Sequence, residues 1–190
     1  MVGAKVPASL WAARNNTYVE TSHLVSKGFF EASLALGLRP QLLSVSREPS
    51  QVAASLLKIN AVPTRSRADQ YLVRPQDSPY LRLGTTKDLS DYQLCLWYAL
   101  EIELRTKLYE RVAEDLGLTW VSMTVEDMND LDAMTGVAVG LQLTQREEAE
   151  MAFREVVGTR LNTKRPVPPE IDDPAGQRED LLSRLMLGNL

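Results

Sequence analysis

Apolar and polar residues recur along this chain at two spacings, every second residue and every third or fourth, and the stretches take turns. Residues Gln41–Asn60 set the pattern. Leu42-Leu43-Ser44-Val45 is an apolar run of strand length, and Ser46-Arg47-Glu48-Pro49 is a polar turn. Val52, Ser55, Leu56 and Ile59 then recur at helical spacing. Pro49 suits the first turn of that helix, where its missing N–H costs nothing, and Ser46 is a candidate cap ahead of it. Upstream, Lys5–Asn15 predicts a short helix led by Pro7, and Thr17–Thr21 is β-prone and predicts a strand. A helix over Leu24–Leu36, capped by Ser22 and stopped by Gly37, links that strand to Leu42. Two strands joined by such a helix imply parallel pairing, in a sheet covered on both faces.

Ala61–Asp88 breaks the rhythm. Pro63, Pro75, Pro79 and Gly84 stand among scattered charges, which predicts an irregular insertion, either a binding loop or a solvated connector. Leu89–Leu116 is the longest helical pattern, with Ser90 or Asp88 as cap and Gly117 as stop. Tyr92, Leu96, Ala99, Glu103 and Leu100, Leu104, Leu108 show the i, i+3, i+4 spacing of a buried stripe, with the Trp97-Tyr98 pair assigned to the core. Glu101–Arg105 and Glu103–Lys107 are i, i+4 pairs that mark a solvated face. Leu118–Met123 predicts a third strand, followed by acidic residues and a helix to about Gly140. Thr144–Val157 is a further helix, opened by a Thr144/Glu147 capping box. Lys164 and Arg165 belong to a short basic element, a proline-rich stretch follows, and Gln177–Met186 predicts a terminal helix. The chain reads as one domain over 1–190, with an insertion at 61–88 and a tail at 166–190.

Composition narrows the function classes. A net charge of −4 argues against a general nucleic-acid binder. The single cysteine, Cys95, excludes an internal disulfide and reads as a small buried hydrophobe. No window is apolar enough to span a membrane, and the N-terminus is a poor signal peptide, so the expected location is the cytoplasm. One histidine and one cysteine cannot build a zinc site by themselves, and no metal is expected.

Candidate chemistry gathers at the turn after Leu42–Val45. Arg47 stands at the exit of the strand, and Ser55 lies about two turns along the next helix, so guanidinium and hydroxyl are set to converge on one anion. The competing reading pairs Arg47 with Glu48. His23, the only histidine, follows the Thr17–Thr21 strand and has the pKa of a general base, or else is structural. Glu20 is a second candidate base. Lys27, one turn beyond His23, is either a charge-stabilising group or a solvated lysine. There is no G-x-x-x-x-G-K-[ST] loop and no G-x-S-x-G elbow.

The segment Ser46-Arg47-Glu48-Pro49-Ser50-Gln51-Val52-Ala53-Ala54-Ser55 resembles the one by which P-loop sulfotransferases hold the 3′-phosphate of the sulfate donor PAPS. In that family a strand ends in an arginine and the next helix carries a serine eight positions on. The likeness runs loosely from Tyr18 to Asn162, and the N-terminal glycine-rich phosphate loop of the family is missing. The resemblance implies an α/β fold of three layers, αβα, with a mainly parallel sheet of the P-loop NTPase type, truncated at the N-terminus. It implies sulfuryl transfer from PAPS to a hydroxyl or amine of an unnamed small-molecule acceptor. Arg47, Ser55 and Lys27 would bind the donor, and His23 or Glu20 would act as base. An uncovered sheet edge would favour a homo-oligomer. Two alternatives stay open: a non-catalytic descendant that binds a nucleotide or a protein, and a small-molecule kinase relative.

Overall fold

The computed structural model describes residue 19 and residues 25–143, 147–157 and 170–187. The expected strand at Thr17–Thr21 lies outside them except for Val19, which is exposed and belongs to no strand. The expected helix over Leu24–Leu36 is split. A 3-10 turn at Val25–Lys27 is separated from helix α1 (Phe29–Ala35) by Gly28. Gly28 holds φ +101, a left-handed conformation that a continuous helix does not allow.

Strand β1 (Leu42–Ser46) and helix α2 (Pro49–Lys58) follow as expected, with Pro49 in the first turn. The cap, however, is Glu48 and not Ser46: the Glu48 carboxylate accepts from the Gln51 N–H, while Ser46 is the last residue of the strand. The insertion holds a 3-10 turn at Arg67–Tyr71 and a short strand, β2 (Leu81–Leu83). Helix α3 (Asp91–Asp115) opens on Ser90, whose hydroxyl accepts from Gln93 N–H while the Gln93 side chain returns to the Ser90 N–H. It closes at Gly117, φ +61. There Leu118 N–H reaches the Ala113 carbonyl and Gly117 N–H that of Glu114.

Strand β3 (Trp120–Thr124) pairs in parallel with β1, with Leu42 opposite Trp120 and Ser46 opposite Thr124. Helix α4 (Leu131–Gly140) is capped by Asp130, and α5 spans Glu147–Val156. Thr144, the expected cap of α5, lies outside the described residues. The C-terminal pattern was expected to be helical to Met186. Instead, α6 (Pro174–Arg184) gives way to strand β4 (Leu185–Leu187), antiparallel to β2.

Helices make up 55% of the structure, so the sheets are minor and a helix organises the core. Leu94, Cys95, Leu96 and Trp97 in α3 are fully buried, so this half of the helix is enclosed on every side. Ala53, Leu56 and Leu57 of α2, Leu81 and Leu83 of β2, and Leu181 of α6 surround it. The C-terminal half of α3 packs Tyr109 and Ala113 on Phe30 and Leu42. The parallel pair therefore has α3 and α1 against the face of Leu42 and Trp120. Its opposite face meets α4, where Gly140 sits so close to Val121 that an added Cβ would lie 2.9 Å from a methyl group. Leu43 and Val45, on that same face of β1, stay exposed.

The Glu101–Arg105 pair corrects the expectation of a solvated face. Glu101 is fully buried and accepts from Tyr80 N–H at 3.1 Å, Leu81 N–H at 2.7 Å and Arg105 Nε at 2.6 Å. Arg105 in turn lies over the Tyr80 ring. With Trp97 Nε1 donating to Leu81 O at 2.8 Å, Glu101 fastens the insertion to α3. Glu103–Lys107 is exposed, as expected. Cys95 sits in the core, where burial and then the charge of Asp91 push its thiol up to about 12.

Candidate functional site

At the carboxyl end of β1, Ser46 Oγ donates to Met123 O at 3.3 Å and ties the two parallel strands together. The chain then turns outward and Arg47 is exposed. Its Nε donates to Gln51 Oε1 at 2.8 Å. Among the described residues no carboxylate pairs with Arg47 and no bond engages its two terminal nitrogens. Gln51 and Ser55 are one helical turn apart on α2 and share a face. Arg47, Gln51 and Ser55 thus form a row of outward donors: the guanidinium fork, an amide NH2 and a hydroxyl. Such a row can hold an oxyanion. Of the expected residues, Arg47 is tied to Gln51, a residue the sequence reading did not single out, and Ser55 lies one turn beyond Gln51 on α2. The signal was present in the spacing, since positions 47, 51 and 55 are successive i, i+4 neighbours.

The competing pairing of Arg47 with Glu48 does not form. Glu48 accepts instead from Ser50 Oγ and from Gln51 N–H at 3.1 Å, and Arg178 of α6 stands 3.6 Å from it. The Ser50 hydroxyl, with the Gln51 and Ser50 amides, holds this carboxyl below the usual carboxylate range, so it is ionised at neutral pH. Arg178 lies far along the chain, and no local pattern points to its place beside Glu48.

Lys27 stands apart from the row. Its ammonium donates to Tyr71 O and lies 5.2 Å above the centre of the Tyr98 ring, and no bond joins it to Arg47 or Ser55. It is half-buried rather than solvated, and desolvation pushes its pKa down to about 8, even though the carbonyl and the ring face both favour the charged form. His23 and Glu20, the two candidate bases, and the basic pair Lys164 and Arg165 lie outside the described residues.

An open hollow of about 630 Å³ lies where the N-terminal ends of α3 and α6 meet, lined by Arg65, Lys87, Gln93, Gln177 and Asp180. Most of its polar groups are engaged with one another. Arg65 pairs with Asp91 at 2.6 Å and donates to Leu89 O at 2.8 Å. Gln93 Nε2 donates to Asp180 at 2.7 Å and to Gln177 O at 3.0 Å. This is the polar seam by which α6 docks on α3. Among the described residues no group of three or more His, Cys, Asp or Glu is gathered to hold a metal ion, and no helix is long and apolar enough to cross a membrane. Comparison of the chain with known protein families, with curated proteins and with solved structures gives no match.

Proposed function

We propose that the chain binds the 3′-phosphate of an adenosine nucleotide of the PAPS type on the Arg47–Gln51–Ser55 row, within a three-layer α/β fold of the P-loop kind. The observation that carries this reading is the Arg47 guanidinium. It is exposed at the carboxyl end of a parallel strand, tethered by a neutral amide, and paired with no acid among the described residues. Open α/β sheets bind ligands at that end of their strands. Helices against both faces of the β1–β3 pair support the layered fold. If sulfuryl transfer occurs, PAPS supplies the group transferred, and this chain's part is to grip the nucleotide and orient it.

Of the readings that remain, binding without transfer has the more specific support. No glycine-rich run of backbone amides for the transferring end of the donor occurs in the sequence. At the start of α2 the free amide is taken by the protein's own Glu48. Calorimetry with adenosine 3′,5′-bisphosphate on wild type and Arg47→Ala tests the reading. Heat with wild type and its loss in the variant are expected; no heat with either protein removes the site. Adding PAPS and a mixture of hydroxyl and amine acceptors then separates the two readings: sulfated product restores the sulfotransferase, and its absence with binding intact leaves the binding protein.

A further inference from the structure

We infer that the outer edge of β1 is a strand-addition site that takes a second copy of this chain, β1 against β1 about a two-fold axis; the inference stands apart from the nucleotide reading. In the parallel pair the residues of β1 alternate in direction. Leu42 N–H donates to Thr119 O and Val125 N–H to Ser46 O, each at 2.9 Å, so Leu42, Ser44 and Ser46 bond toward β3. The amides and carbonyls of Leu43 and Val45 therefore point away from β3. Among the described residues no bond engages them. Their side chains are 42% and 44% exposed. Natural sheets blunt such an edge with a charge, a proline or a bulge, and Leu42–Ser46 holds none of these. Unpaired backbone groups and open apolar side chains thus coincide at the same two residues.

The residue order selects the occupant. A strand that meets its own copy across a two-fold axis runs antiparallel to it. With Ser44 on the axis, Leu43 lies opposite Val45 of the partner subunit, and Val45 opposite the partner's Leu43. Each pair exchanges two backbone bonds and joins two apolar side chains. Arg47 then stands opposite the partner's Gln41, which is neutral. The neighbouring registers that keep the faces matched are worse. One sets Arg47 against the partner's Arg39, a like-charge pair, and Val45 against the partner's Gln41. The other sets Leu43 against the partner's Arg47. The strand is therefore complementary to itself in a single register, and the product is a sheet in the order β3-β1-β1-β3.

Sedimentation equilibrium of the full chain tests this. The mass is expected to rise with concentration toward twice the 21.2 kDa of one chain. Val45→Lys places a charge at an already exposed position and is expected to hold the mass at one chain, with far-UV circular dichroism unchanged. Ser44→Cys reads the register. On the axis, Ser44 and its copy form a non-hydrogen-bonded pair with Cα atoms about 4.5 Å apart, within reach of a disulfide. Mild oxidation should link Ser44→Cys into a covalent dimer. Ser46→Cys, opposite the partner's Leu42, should stay unlinked, and the buried Cys95 takes no part. A single-chain mass at every concentration overturns the inference, whether the edge is then open or taken by another segment. So does a dimer that survives Val45→Lys, or a cross-link that forms as readily at 46 as at 44.

Discussion

Lys27 is the residue whose environment is most at odds with its charge. Its ammonium is drawn under the irregular segment, where one carbonyl and one aromatic face replace water and, among the described residues, no carboxylate answers it. A base whose folded pKa falls to about 8, from 10.5 when unfolded, binds fewer protons in the folded state between those values. The contribution of Lys27 to stability therefore rises with pH across that window, because unfolding takes up a proton that the folded chain has already released. Urea denaturation at successive pH values should show wild type gaining about 1–2 kcal/mol relative to Lys27→Met between pH 8 and pH 10, after allowance for solvent around a half-buried group. Both proteins share an opposite trend from about pH 9 upward, since burial raises Cys95, Tyr98 and Tyr109, and the unfolded chain ionises them first. The same pH dependence in the two proteins would show that Lys27 is not perturbed. The sequence offers Lys27 only as a lysine one turn from a histidine; its burial depends on Tyr71, in a segment with no periodicity, so nothing local announces it. Arg47 is the opposite case. Its exposure follows from its place between an apolar run and a proline-led helix, both legible from residue order alone.

At the scale of elements, the helices declared themselves and the short strands did not. Gly37 and Gly117 were readable as stops because left-handed backbone favours glycine, and both take positive φ. Asn60 and Gln142 end α2 and α4 with the same backbone bonds and positive φ, but asparagine and glutamine are common elsewhere and carry no such signal. Strand β2 is three residues between prolines and a glycine, too short for an alternation to register. It exists because α3 supplies partners for its backbone: Trp97 for one carbonyl, and Glu101 for two amides at its start. Glu101→Ala should therefore cost about 3–5 kcal/mol in chemical denaturation, since it strands the largely buried Arg105 and leaves two amides unpaired. Its effect should be seen first in the exchange of the Tyr80 and Leu81 amides. A loss below 1 kcal/mol would show that β2 holds to β4 without this fastening. Local spacing revealed the Glu101–Arg105 pair but not its depth, because the groups that bury Glu101 come from the insertion.

For the whole molecule, burial is concentrated at one end of α3 and thins outward. Tyr92 through Ala99 are all buried, while Leu43, Val45, Val139 and Met151 are open to solvent. Amide exchange should follow that gradient: Leu94–Tyr98 opens only with global unfolding, and the amides of α5 exchange far sooner. Equal protection in both would contradict a core gathered on one helix. The mixed α/β order and the parallel pair were legible because β1, α2, α3 and β3 follow each other at the expected spacings. The terminal helix was legible too, but β4 at its end was not, because that strand is set by its pairing with β2. The α6–β4 segment is also translated after every partner it packs against. Leu181 is fully buried among side chains drawn from α2, α3 and β2. A ribosome that has made everything up to residue 170 has therefore released a chain whose largest apolar cluster still lacks a wall. Such a nascent intermediate is a natural client for a chaperone, and a premature stop before residue 174 would yield a product prone to degradation rather than a shortened but working protein.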